Sequence, residues 1–288
     1  MRRTRGVAHL FIFGLGYSAK RIRAAIEALG WIVTGTGHAG ELAFDDAAAV
    51  RAALGRASHV LSSVPPSTEG DPVLLRYGDT LTRGWLGYLS STGVYGDTGG
   101  AWADETAPIG GGRRSGRAAA DAAWLDRGAR VFRLPGIYGP DRNPLDRARA
   151  GTAHRIDLPD QVFSRIHVED LAAGVLAGFD APAGAYNLAD DLPASQNAVV
   201  EEACRLTGAP LPPLQSLDDA GLSPPARAFY AENRRVANGK ARRVLGWRPQ
   251  YPTYREGLAS LVTDFALSAT TSPASASTLP TAASRDQR

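Results

Sequence analysis

Arg165 and His167 stand two residues apart, and alternation along a strand puts both side chains on one face. Facing a cleft, the arginine would hold an anionic group and the imidazole would move a proton near neutral pH. Packed inward, they would be a core-rim arginine and a satisfied histidine; both readings stay open. A second stretch, His9 to Ala19, carries the pattern G-x-G-x-x-A at Gly14, Gly16 and Ala19. Its glycines allow a tight turn and a close approach of backbone to ligand. Residues 7–13 before them are almost continuously apolar, as in a strand covered on both faces. The chain after them is helical in composition, so free N–H groups and a helix N-terminus would face a pyrophosphate. Gly14, Gly16, Tyr17, Ser18 and Ala19 are therefore candidate cofactor-binding residues of a dinucleotide fingerprint.

Such residues need a sheet to hold them. Strands are expected at Trp31–Thr36 and, briefly, Glu41–Phe44; helices follow at Ala47–Arg56 and Pro72–Leu81. Ser58 to Pro66 reads as a strand with a proline stop, and its end, Ser63, Val64 and Pro65, would lie beside the fingerprint turn. Leu86 to Gly96 reads as a core strand ending in the hydroxyls of Ser90, Ser91 and Thr92, and Val131 to Leu134 as another, ending at Pro135 and Gly136. The pattern predicts an α/β, doubly wound parallel-sheet Rossmann fold with a smaller C-terminal substrate lobe. Residues 1–6 form a basic tail and 7–181 the Rossmann domain, with 141–162 as an excursion towards the substrate lobe. Residues 182–267 form that lobe, and the Ala/Ser/Thr/Pro-rich 268–288 a disordered tail.

The end of the second strand chooses between cofactors. An acid about 20 residues past the glycines marks NAD through the ribose 2′-OH. Here the window holds Thr34, Gly35, Thr36, Gly37 and His38, and the first acid is Glu41. The reading favours NADP over NAD, with His38 or Thr36 reaching a 2′-phosphate. Asp45 is a candidate adenine contact; of Asp45 and Asp46, one would cap the next helix or touch the adenine, and capping is the simpler role.

Ser90-Ser91-Thr92-Gly93-Val94-Tyr95-Gly96 resembles the S-S-x-x-V-Y-G segment of the extended short-chain dehydrogenase/reductase superfamily, the NAD-dependent epimerase/dehydratase type. Residues 133–140 resemble its R-x-x-G-I-Y-G-P segment, and 166–172 its I-H-V-x-D-L-A motif. The match with the G-L-G-Y start is similar to atypical, YeeZ-like members. The resemblance implies that Ser91 bonds the substrate oxygen, with Thr92 near it, and that a homodimer forms. The superfamily also carries Y-x-x-x-K some twenty-odd residues on, where tyrosine is the acid/base and lysine holds the nicotinamide ribose. Here that pair is missing, because no tyrosine lies between Tyr95 and Tyr138 and no lysine between Lys20 and Lys240. Arg113 and Arg117 have the spacing of the pair; Arg117 replaces the lysine's charge but is no acid/base. The proton then falls to His167, Tyr95, Tyr138 or a water, with Tyr95, Tyr138 and Arg165 facing the substrate.

Composition narrows the classes. The 288 residues are 44% hydrophobic and 21% charged, ample for a packed core. No apolar run reaches the ~20 residues of a membrane span, and the basic start has no signal-peptide pattern. One cysteine, Cys204, fits a reducing cytoplasm. The net charge of +3 is dispersed, which argues against nucleic acid as a partner; no metal-ligand spacing occurs. The expected function is an NAD(P)-dependent oxidoreductase or epimerase/dehydratase-like enzyme acting on a small molecule with a hydroxyl or carbonyl. The alternative is a catalytically silent NAD(P)-binding sensor or interaction protein.

Overall fold

The computed structural model describes residues 8–82, 84–112 and 115–271. The expected basic tail, Val7, Arg113 and residues 272–288 lie outside them. In chain order the first half holds β1 (His9–Phe13), α1 (Tyr17–Glu27), β2 (Ile32–Gly35), α2 (Ala47–Leu54), β3 (His59–Ser62), α3 (Pro72–Tyr77), β4 (Trp85–Ser91), β5 (Trp102–Ala103) and α4 (Ser115–Leu125). The second half holds β6 (Arg130–Leu134), β7 (Gly136–Tyr138), α5 (Pro144–Arg149), β8 (Arg155–Ile156), β9 (Arg165–His167), α6 (Val168–Ala177) and β10 (Gly184–Asn187). It ends with α7 (Gln196–Thr207), β11 (Leu214–Gln215), α8 (Pro224–Phe229), β12 (Arg235–Val236), α9 (Gly239–Val244) and α10 (Tyr254–Thr271).

Six parallel strands form the main sheet in the order β10-β6-β4-β3-β1-β2. Alternation along β1 divides the core. Leu10 and Ile12 join α1 and α6 residues such as Ile22, Ile26, Leu171 and Val175. Phe11 and Phe13 join Val50, Tyr77 and Trp124 on the other face. Strand order reverses between β1 and β3, so their carboxyl ends open a crevice. A third cluster packs α5, α7 and α10 through Leu145, Ala203, Leu258 and Tyr138.

Two expectations are corrected. Glu41–Phe44 is not a strand: Leu42 makes a single bridge to Thr36, and β2 is left at the sheet edge. The loop doubles back so tightly that a Cβ at Gly40 would sit 2.4 Å from the Gly35 carbonyl oxygen. The Glu41 carboxylate takes the open edge instead, accepting from the Gly35 N–H at 2.9 Å. Secondly, residues 268–271, expected in the tail, belong to α10, and the rest of that expectation lies outside the described residues.

Asp71 ties two helices to the far face. Its Oδ1 accepts from the N–H groups of Val73 and Leu74, capping α3, and its Oδ2 accepts from Trp124 Nε1 at 2.9 Å. Trp124 is fully buried. Asp71→Ala removes the cap and orphans an indole N–H, so urea unfolding should show a loss of about 2–4 kcal/mol.

Candidate functional site

A cavity of about 380 Å³ opens where the ends of β1, β3, β4 and β6 meet. Its lining includes Gly16, Tyr17, Ser18 and Ala19 from the fingerprint, Ser63 from the β3 end, and Ser90, Ser91 and Thr92 from the β4 end. Arg117 of α4 and Pro135 and Gly136 complete the set from the sequence reading. The turn is built for close approach. Gly14 has φ +83°, and a Cβ there would lie 3.1 Å from Ser63 Oγ and Val64 Cγ2. The Ser63 hydroxyl donates to the Gly14 carbonyl. Val64 thus packs the turn rather than lining the cavity, and Pro65 also stays out of its wall. At Gly16 a side chain would meet nothing within 4 Å, so open space stands above it. No side chain caps α1 and no acid sits in its first turn. Its first N–H groups therefore remain for an anionic ligand. These features fit a dinucleotide's pyrophosphate.

The wall below the β4 end is a buried polar network. Ser90 Oγ donates to Asp121 Oδ2 at 2.6 Å, and Arg133 holds Asp121 through Nε at 3.1 Å and Nη2 at 2.7 Å. Arg133 Nη1 donates to the Tyr95 hydroxyl, which donates to Asn187 Oδ1 at 2.7 Å. Tyr95 is therefore corrected as a substrate contact. It is 5% exposed, and burial pushes its phenol up to about 12. Ser90 lines the cavity with its hydroxyl turned to Asp121. Ser91 Oγ accepts from the Gly93 N–H, fixing the turn that presents Thr92. Arg117 Nη1 donates to the Tyr88 hydroxyl and the Leu89 carbonyl, which anchors its charge at the cavity wall.

At the adenosine end, His38 is exposed. Thr36 is buried and its hydroxyl accepts from the Gly14 N–H, so Thr36 is corrected as a phosphate contact. Asp45 is exposed, with its carboxylate 3.6 Å from Arg76. Asp46, not Asp45, caps α2.

A larger cleft of about 680 Å³ adjoins this cavity, with Gly136, Ile137, Arg142 and Phe229 in both walls. Tyr138 and Arg165 line it, but the Tyr138 hydroxyl is buried without a hydrogen-bond partner and presses on Gly257. His167 is corrected as a proton carrier facing substrate. It is 2% exposed, caps α6 by accepting from the Glu169 N–H, and packs between Tyr138 and Tyr251 outside both cavity walls. Sequence reasoning missed the pair that does face the cleft: Tyr230 Oη and His154 Nε2, 3.4 Å apart. Burial, then the charge of Arg147, keeps His154 below its ordinary value and so neutral. Both residues sit in segments without periodicity, so spacing offered no signal for them.

Behind Arg165, Asp190 is 2% exposed and neither carboxylate oxygen has a hydrogen-bond partner. Burial pushes its carboxyl up to about 8, against the opposing charge of Arg165.

The chain thus has a Rossmann-type fold with a smaller lobe packed at its sheet's carboxyl edge. No family model matches it. A solved protein of unknown function from Silicibacter pomeroyi is 39% identical, with a TM-score of 0.79 over 90% of this chain and 99% of that one. Protein YeeZ of Escherichia coli is 26% identical over 84% of this chain and 95% of its own. A human epimerase family protein solved with NADPH shares the fold at 15% identity and TM-score 0.73, over 89% of this chain and 99% of that one. A 3-diazoavenalumate denitrifying reductase of a Streptomyces species is 31% identical over 151 residues, where the match spans 47% of this chain and 48% of that reductase. Together with the motifs, these show that the chain has the fold of the NAD-dependent epimerase/dehydratases and is similar to protein YeeZ along most of its length.

The buried acid makes stability depend on pH. In the unfolded chain the Asp190 carboxyl ionises near its ordinary 3.8, whereas the folded protein holds the proton to about 8. Stability therefore falls as pH rises through that window, and the penalty is complete above it. Asp190→Asn removes the penalty. Thermal unfolding should find the variant more stable than the parent at pH 8, with the difference vanishing towards pH 4.

Proposed function

We propose that the protein is an NAD(P)-dependent oxidoreductase or epimerase/dehydratase-like enzyme acting on a small molecule with a hydroxyl or carbonyl. The observation that carries this reading is the open space over Gly16 beside the uncapped first turn of α1, continuous with the hydroxyls of the β4 end. Backbone N–H groups of residues 17–19 receive the pyrophosphate. Arg117 directs its charge at the nicotinamide ribose in place of the missing lysine. The bound nicotinamide supplies a hydride donor or acceptor. Ser91 and Thr92 hold the substrate oxygen, and the body of the substrate lies in the larger cleft. Proton exchange is assigned to the Tyr230–His154 pair, since Tyr95, Tyr138 and His167 are all buried. The catalytically silent sensor is favoured by one observation, the absence of the Y-x-x-x-K pair. Binding of NADPH with no oxidation of it across a panel of carbonyl compounds and sugar nucleotides would select that reading.

Gly16→Val tests the cofactor site directly. Its side chain enters empty space, so the apo melting temperature should stay unchanged while NADPH affinity falls at least about tenfold. Unchanged affinity would remove the site.

The preference for NADP is supported at the β2 end. The Glu41 carboxylate there is engaged by the Gly35 N–H and by Arg23 at 2.6 Å, while His38 stands exposed. His38→Ala should weaken NADPH binding by roughly a few-fold and leave NADH unchanged, read by fluorescence titration.

A further inference from the structure

Two arginines of this chain are almost equally buried and differently matched. Arg133, 3% exposed, is held by the two oxygens of Asp121. Arg165, 8% exposed, has no carboxylate within ion-pair distance among the described residues. Its Nη1 donates to the carbonyls of Phe163 and Ala194, both at 2.8 Å, and its Nη2 to Gln196 Oε1 at 3.1 Å. Those three bonds fix the guanidinium plane in the floor of the larger cleft. They leave Nε–H and one Nη2–H without a hydrogen-bond partner among the described residues, donors that the oxygens of a carboxylate or phosphate can take.

Taking the cleft as the substrate site, we propose that Arg165 receives an anionic group of the substrate, a carboxylate or a phosphate, on its Nε/Nη2 edge, with Arg147 at the cleft rim completing the anion site. A buried guanidinium without an anion is costly, and a purely structural one would be matched as Arg133 is. Asp190, the acid whose charge acts most on Arg165, makes no ion pair with it, so the guanidinium lacks the matched carboxylate that Arg133 has. Arg147 lines the same cleft, where its charge acts on both His154 and Tyr230. Phe163 and Phe229, stacked at 4.4 Å, form an apolar wall beside the site. The ligand therefore joins an anionic head to an apolar body.

Calorimetric titration of the full chain at pH 7 tests this with two probes, sodium benzoate and inorganic phosphate. Each is run with and without saturating NADPH, so that binding at the fingerprint turn is displaced and not counted. Failure of NADPH itself to bind would overturn the cofactor reading and leave the probe result standing. Benzoate or phosphate should bind the parent protein, and whichever binds names the head group. Arg165→Gln should weaken that probe by about tenfold or more, and Arg165→Lys should recover part of the loss as a point charge without the fork. Binding of neither probe, or Arg165→Gln binding as the parent does, would overturn the proposal. Should circular dichroism show Arg165→Gln unfolded, the exposed Arg147→Gln decides: a several-fold loss supports the site, and unchanged affinity overturns it.

Discussion

The Asp121–Arg133 pair is the constraint on which the site depends. It sits under the carboxyl ends of β4, β6 and β10, where three strands and α4 must be held in one register. Both groups are almost wholly buried, so neither is tolerable alone. Ser90, Tyr95 and Asn187 satisfy the remaining donors and acceptors, and the Asn187 N–H is itself taken by Glu105 at 2.7 Å. A fully satisfied network of this kind rigidifies what lies above it. Above it lie Ser91, Thr92, Pro135 and Gly136, which line the smaller cavity.

The same geometry explains how one sheet serves two cavities. After β6 the chain steps through Pro135 into β7, leaves the main sheet and pairs with β9. β7 therefore forms a partition with the smaller cavity on one side and the larger cleft on the other. Gly139 ends it because the packing there is too close for a side chain. A Cβ would lie 2.6 Å from Val168 Cγ1 and 2.8 Å from the Tyr17 hydroxyl. Tyr17 in turn donates to the Pro140 carbonyl, joining the fingerprint helix to the substrate lobe.

The two buried arginines of the site share a chemistry and differ in use. Arg133 spends its charge on Asp121 and so serves architecture. Arg165 spends its Nη1 donors on backbone carbonyls, which orient it without neutralising it. Asp190 makes no ion pair with it either, and burial pushes that carboxyl up to about 8 although the charge of Arg165 acts the other way. Sequence reasoning left Arg165 open between packing and ligand; the unmatched charge is what separates the two.

Much of the fold was legible in the chain. Near-continuous apolar runs, the two glycines and the strand-end hydroxyls specify a parallel sheet with a dinucleotide turn, because burial on both faces and the positive φ at Gly14 leave few residue types that comply. The sequence likewise determined that the usual tyrosine and lysine are absent. Tertiary structure alone decided which polar residues face a ligand. His167, Tyr95 and Thr36 have the right chemistry and are consumed by a helix cap, a buried network and the fingerprint turn. Tyr230 and His154 carry no local pattern, yet folding brings both into the cleft, and it buries Asp190 beneath it. The physical reason is that periodicity reports burial of a face, whereas hydrogen-bond partners and desolvation depend on neighbours far away in the chain.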